Sequence, residues 1–267
     1  MGRYRISSFV ITWINLITLI ASLAILSFGI FLAAKHGDCE KFFTAPVLVI
    51  GAFSLILSLV GCVGAWRDNV CLLWTYLTVL FLLIAGVAVF TVFAFVVTSK
   101  GAGHAISGQA FKEYRLGDYS HWIQKQTNDP ARWKHLKSCF VQTSLCNELP
   151  KKYHTIRSMR NGKLSSIESG CCRPPSECGF AMKNSTFYDL TSRIRSSNKD
   201  CRTYKNDRET KCYNCDSCKA GVAEYLKKKW RRMSTFNVVL FVILIVVYSV
   251  GCCARRSASR SQYYKIY

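Results

Sequence analysis

Acidic residues are scarce in this chain, and charge of either sign is missing from its four longest apolar stretches. Asp and Glu number 15 in 267 residues against 36 Lys and Arg, and none of either kind falls within 6–34, 44–65, 71–98 or 234–253. A charge at the centre of a membrane helix costs about 2.5–3.5 kcal/mol on insertion scales, so these four stretches are free to enter a bilayer. The same absence argues against an ion or proton path, which ionisable residues inside a span would mark. A channel or transporter subunit is therefore the alternative reading, not the leading one. A cleavage site after the first stretch is missing too, which makes that stretch a retained signal anchor instead of a removed leader.

The stretches hold 29, 22, 28 and 20 residues, and about 20 suffice to cross the hydrocarbon core. Their boundaries divide the chain into an N-terminal segment 1–5, a first span 6–34, a small loop 35–43, a second span 44–65, a turn 66–70, a third span 71–98, a large loop 99–233, a fourth span 234–253 and a tail 254–267. Arg3, Arg5, Arg67, Arg255, Arg256, Arg260 and Lys265 all lie in the short segments of one side. The positive-inside bias then places both termini in the cytoplasm. Lys227, Lys228, Lys229, Arg231 and Arg232, on the outer side of the fourth span, run against this bias. Loops longer than about 60 residues translocate largely regardless of charge, so the large loop is still expected outside. The cytoplasmic segments contain no histidine, which removes the base that an acyltransferase working through cysteine would need.

The 14 cysteines sort by this topology. Cys39, Cys139, Cys146, Cys171, Cys172, Cys178, Cys201, Cys212, Cys215 and Cys218 fall outside, whereas Cys62, Cys71, Cys252 and Cys253 sit at cytoplasmic membrane edges. Ten outside cysteines read as a disulfide framework of open connectivity in an oxidising compartment, with Cys39 pairing across to the large loop. The spacing Cys212-x-x-Cys215-x-x-Cys218 also fits a metal or a redox pair, although the second ligand pair and the βαβ context are lacking; no metal or other cofactor is expected. The edge cysteines are candidate acylation sites, Cys252 and Cys253 foremost, with buried small apolar residues as the other reading for Cys62 and Cys71. Asn184-Ser185-Thr186 is a glycosylation sequon inside the large loop.

Within that loop, Ile106, Ala110, Phe111 and Tyr114, then Trp133, Leu136 and Phe140, recur at helical spacing, with Gly117 and Asn128-Asp129-Pro130 between them. One helix is expected to continue straight out of the third span, and another, 221–230, to run into the fourth. The stretch 150–219 is rich in Cys, Ser, Asn and Gly and contains Pro174-Pro175, which predicts an irregular, disulfide-held subdomain bearing partner contacts. His104, His121, His135 and His154 have no nucleophile motif beside them and read as surface residues. The loop carries 27 basic and 12 acidic residues. That excess suits an acidic polymer, anionic lipid or acidic proteins, or simply a solvated surface. Nucleic acid is set aside, because no recognised nucleic-acid fold accompanies the charge.

Gly170-Cys171-Cys172-Arg173-Pro174-Pro175, followed by Cys178, carries a family resemblance. With four spans, a small first and a large second outer loop and juxtamembrane cysteines, the chain resembles the tetraspanins. The Gly-Cys-Cys-basic-Pro-Pro form, the nine loop cysteines and Cys39 resemble the plant branch. The resemblance implies an all-α, four-helix membrane bundle with a disulfide-rich, mainly helical outer loop, in which Cys171 and Cys172 tie the loop's middle to its ends. It further implies a non-enzymatic organiser at the plasma membrane, and in vesicles, that associates with itself, other tetraspanins, membrane receptors and membrane lipid, and acts in differentiation, development or vesicle release. Asn15 in the first span matches a family feature and reads as a helix-packing residue. The Glu or Gln of many animal members in the third and fourth spans is missing, leaving Asn237 near the outer end of the fourth. Gly29, Gly51, Gly61 and Gly64 are expected to admit close helix packing.

Overall fold

A computed structural model describes residues 2–35, 38–67, 69–191, 193–194 and 196–266. It divides into two compact units, one of Met1–Val92 with Thr235–Tyr267 and one of Phe93–Ser234. In the first unit the apolar stretches become helices α1 (Gly2–Lys35), α2 (Asp38–Trp66), the greater part of α3 (Val70–Thr98) and the later part of the last helix, α10 (Asp216–Ile266). An unbroken helix satisfies its own backbone N–H and C=O groups, which is what a segment without water must do. Among the described residues, four helices are long and apolar enough to cross a membrane. Their outer faces carry bare aliphatic side chains, such as Ile17, Val49 and Val89, all more than 60% exposed. Facing lipid, these lose nothing by exposure.

The inner faces of this unit pack in two layers. Ile11, Ala65, Leu73 and Ala254 form one, and Tyr76, Leu77, Leu80 and Val247 the other. Glycines permit the approach: Gly51 faces Leu26, Gly29 faces Leu48 and Gly61 lies under the amide of Asn15. Asn15 is buried, and its Nδ2 donates to the Ile11 carbonyl one turn back, 2.9 Å away. A hydrogen bond between α1 and α2 joins Thr18 Oγ1 and Ser58 Oγ at 2.9 Å.

The loop unit is mainly helical: α4 (His121–Asn128), α5 (Pro130–Gln142), α6 (Leu149–Lys152), α7 (Ile156–Arg160), α8 (Ser166–Cys171), α9 (Asp200–Thr203) and the first turns of α10. Asp129 accepts from the N–H groups of Ala131 and Arg132, and Pro130 opens α5 where its missing N–H is harmless. Thr155 with Ser158, and Ser165 with Glu168, close capping boxes at the starts of α7 and α8.

One expectation is overturned. No helix continues out of the third span through 106–114: α3 stops at Thr98, and a hairpin follows, β1 (Gly103–Ala105) antiparallel to β2 (Lys112–Tyr114). Gly101 and Gly108 take φ of +100° and +72°, values that break a right-handed helix and that glycine adopts at little cost. Along β2 burial increases from exposed Lys112 to buried Tyr114.

Candidate functional site

The residues of the Gly-Cys-Cys-Arg-Pro-Pro motif lie at the centre of the loop unit, and every one of the six is buried. Cys171 is bonded to Cys218 on α10, with Cα atoms 4.2 Å apart, and Cys172 to Cys146 beyond α5. Cys178 pairs with Cys201, and Cys212 with Cys215. Cys139 is disulfide-bonded as well, while the side chain of Cys39 lies outside the described residues. Two adjacent cysteines thus point to opposite ends of the loop, one toward α5 and one toward α10. The thiolates that a metal would need from Cys212, Cys215 and Cys218 are consumed in these bonds.

Glycine is required at the head of the motif because α8 lies directly against α10. A Cβ on Gly170 would meet the Ser217 carbonyl oxygen, and one on Gly221 the Ser166 carbonyl oxygen. The two helices therefore approach glycine to glycine, close enough for the short Cys171–Cys218 bridge. Asp200 sets the start of α10. Its carboxylate accepts from the N–H groups of Asp216 and Ser217 at 2.9 and 2.8 Å, neutralising the positive end of the helix.

Arg173 is the motif's buried charge, 4% exposed. Its Nη1 lies 3.0 Å from Glu113 Oε1 on β2, and its guanidinium sits 4.3 Å over the Phe111 ring. The Nη1 approach lies off the line of an N–H bond. Glu113 takes its hydrogen bonds from Ser176 instead, N at 2.8 Å and Oγ at 2.9 Å. Ser169 Oγ donates to the Lys112 carbonyl at 2.6 Å. These links fasten the hairpin to the motif. Pro174 and Pro175 supply a stretch with no N–H to satisfy inside the core.

An aromatic layer surrounds the bridges: Trp133, Phe140, Tyr188, Tyr204 and Tyr213. Trp133 Nε1 donates to the Tyr213 carbonyl, 3.0 Å away. Burial pushes the hydroxyls of Tyr188, Tyr204 and Tyr213 above their ordinary range. Tyr119 is pushed up by burial and by the charge of Glu224, to which its hydroxyl donates at 2.9 Å. Lys211, buried beside Phe187, is held below the usual lysine range, and its Nζ donates to the Thr186 carbonyl.

The other sequence-derived sites lie apart from this core. Asn184 is exposed, and its Oδ1 accepts from the N–H groups of Thr186 and Phe187. Cys71, Cys252 and Cys253 are exposed free thiols, and Cys62 is a half-buried one. His104 pairs with Asp118 at 2.6 Å, and His121, His135 and His154 lie on the surface. The roles of Glu113, Asp200 and Trp133 carried no sequence signal, since each works through a partner 60 or more residues away or across an irregular segment. Three large apolar side chains remain uncovered in the stretch bracketed by Cys178 and Cys201: Phe187, Leu190 and Ile194, 39–46% exposed.

The chain matches the tetraspanin family model over residues 7–254. It is 49% identical to tetraspanin-10 of Arabidopsis thaliana over 239 residues, which cover 90% of this chain and 84% of that one. To tetraspanin-8 of the same plant it is 41% identical over 263 residues, covering 97% and 96%. The four apolar helices, the double cysteine bridged in two directions and these likenesses agree, and the protein belongs to the tetraspanin family.

Proposed function

We propose that this protein gathers receptors and other tetraspanins into microdomains of the plasma membrane, in processes of differentiation, development or vesicle release. Family membership carries the membrane-scaffold role itself; the site of action and the use made of it are our reading. Both termini face the cytoplasm, the loop unit faces outward, and Asn184 is glycosylated. No step of chemistry is required of the loop. Its work is to hold a surface in one shape.

The observation that carries this reading is the exposed trio Phe187, Leu190 and Ile194. A rigid frame holds it on both sides through the Cys178–Cys201 bridge. Apolar side chains left outside a fully formed core mark protein contact surfaces. Here the contact is lateral, with the outer domain of a neighbouring membrane protein. Association of chain copies with each other and with a second tetraspanin, measured by energy transfer between tagged proteins at the cell surface, tests it. F187S/L190S/I194S should reach the surface normally and lose most of the transfer. Full transfer by this variant would refute the surface.

A further inference from the structure

At least eleven of the loop's twelve carboxylates accept hydrogen bonds or ion pairs from neighbours within the loop. Several are committed to holding the fold, Asp129 and Asp200 as helix caps and Glu113 as the partner of Arg173. The loop's 27 basic side chains have no such supply of partners. Positive charge is therefore left on the outside.

Besides the cluster Lys227–Arg232 at the membrane edge, one concentration of it runs along α6 and α7. Residues 150–167 contain Lys151, Lys152, Arg157, Arg160 and Lys163 together with His154, and no Asp or Glu. All six side chains are exposed. The capping box of Thr155 and Ser158 fixes α7, where Arg157 and Arg160 stand three residues apart on one face. Lys151 pairs with Glu148 at 3.0 Å, yet both are largely exposed, and such a pair exchanges readily for another anion. The apolar side chains of this stretch point the other way: Leu149, Tyr153 and Met159 are buried in the loop's core. The face offers charge without an apolar anchor.

That combination discriminates among partners. Protein interfaces are centred on buried aromatic or aliphatic anchors and are depleted in lysine. A helix that lies embedded in the membrane interface likewise inserts apolar side chains, which this face lacks. A flexible polyanion needs neither, since it binds a row of cations through charge alone. The disulfides place the loop in an oxidising compartment, where the available polyanions are acidic polysaccharides instead of nucleic acids. We propose that the α6–α7 face binds an acidic polysaccharide, tethering the protein to the acidic polymer outside the membrane. This site is separate from the apolar trio that serves lateral association.

The test uses the full-length protein in detergent or nanodiscs, with polygalacturonate as probe and dextran as the uncharged control, at low and high salt. The wild type is expected to bind polygalacturonate in a salt-sensitive manner and to ignore dextran. K151Q/K152Q/R157Q/R160Q/K163Q should bind at least tenfold more weakly. A charge-matched variant, K125Q/K199Q/R202Q/K205Q/R208Q, should stay within about threefold of wild type. Disulfide mapping confirms folding, and R157Q/R160Q, a milder change on exposed side chains, should still lose at least threefold. Equal losses in the two five-site variants would reduce the effect to net charge and overturn the site. Absence of wild-type binding would overturn it outright. Tighter binding of duplex DNA through the same residues would overturn the polysaccharide assignment.

Discussion

The backbone of Gly170 and the carbonyl oxygen of Ser217 lie so close that no Cβ fits between them. This approach lets the next residue, Cys171, bridge to Cys218. Gly170→Ala must drive α8 away from α10 against backbone atoms, which have no rotamer to yield. Overpacking of this kind costs about 1–3 kcal/mol and at times more. Thermal unfolding of the full-length protein, followed by tryptophan fluorescence, should show a lower midpoint for the loop, whereas Gly117→Ala, with open space around it, should not.

Arg173 and Glu113 are expected to be strongly coupled. Removing one partner of a buried ion pair leaves the other charge stranded, at about 3–5 kcal/mol. Arg173→Met should fall in that range, and R173M/E113Q should be less destabilised than the sum of the single variants. A double-mutant cycle on loop unfolding measures the difference. Additive effects would show that the pair is not formed.

The four assigned bridges should contribute unequally. In the chain-entropy picture a bridge spanning 47 residues, as Cys171–Cys218 does, stabilises by about 4 kcal/mol, and one spanning 3, as Cys212–Cys215 does, by about 1.6 kcal/mol. C171S/C218S should be retained in the secretory pathway with the remaining loop cysteines mispaired. C212S/C215S should reach the surface with the other bridges intact, as read by cell-surface biotinylation and non-reducing peptide mapping.

The loop should lose stability in alkali. Tyr114, Tyr119, Tyr188, Tyr204 and Tyr213 all have hydroxyls raised above the ordinary value of 10.0, burial being the first cause in each. Above pH 10 the unfolded chain releases these protons while the folded loop retains them. The stabilisation is therefore complete below pH 10 and falls as pH rises, by about 1.4 kcal/mol per pH unit for each group that differs. Unfolding midpoints between pH 8 and 11.5 should decline more steeply than a single proton allows, and Tyr119→Phe should shallow that decline.

Much of this molecule was legible because its signals are local. Uncharged apolar runs of 20–29 residues announce the spans, and Asp129-Pro130 announces the start of α5. The hairpin at 103–114 reads as helix in the sequence because Phe111 and Tyr114 fit a three-residue spacing, and the deciding glycines act through backbone angles. The site was half legible. The cysteines stood out, but Asp200 capping α10, Glu113 holding Arg173 and Thr18 meeting Ser58 each join residues that only the tertiary fold brings together. The connectivity of the bridges is of the same kind.

Protease protection on sealed microsomes, combined with glycosidase treatment and non-reducing mass mapping of residues 99–233, tests most directly that a disulfide-tied loop faces outward to meet partners. The expected result is a protected loop, glycosylated at Asn184, with Cys171 joined to Cys218 and Cys172 to Cys146. A digested, unglycosylated loop with free thiols would place it in the cytosol and contradict both the scaffold and the polysaccharide tether.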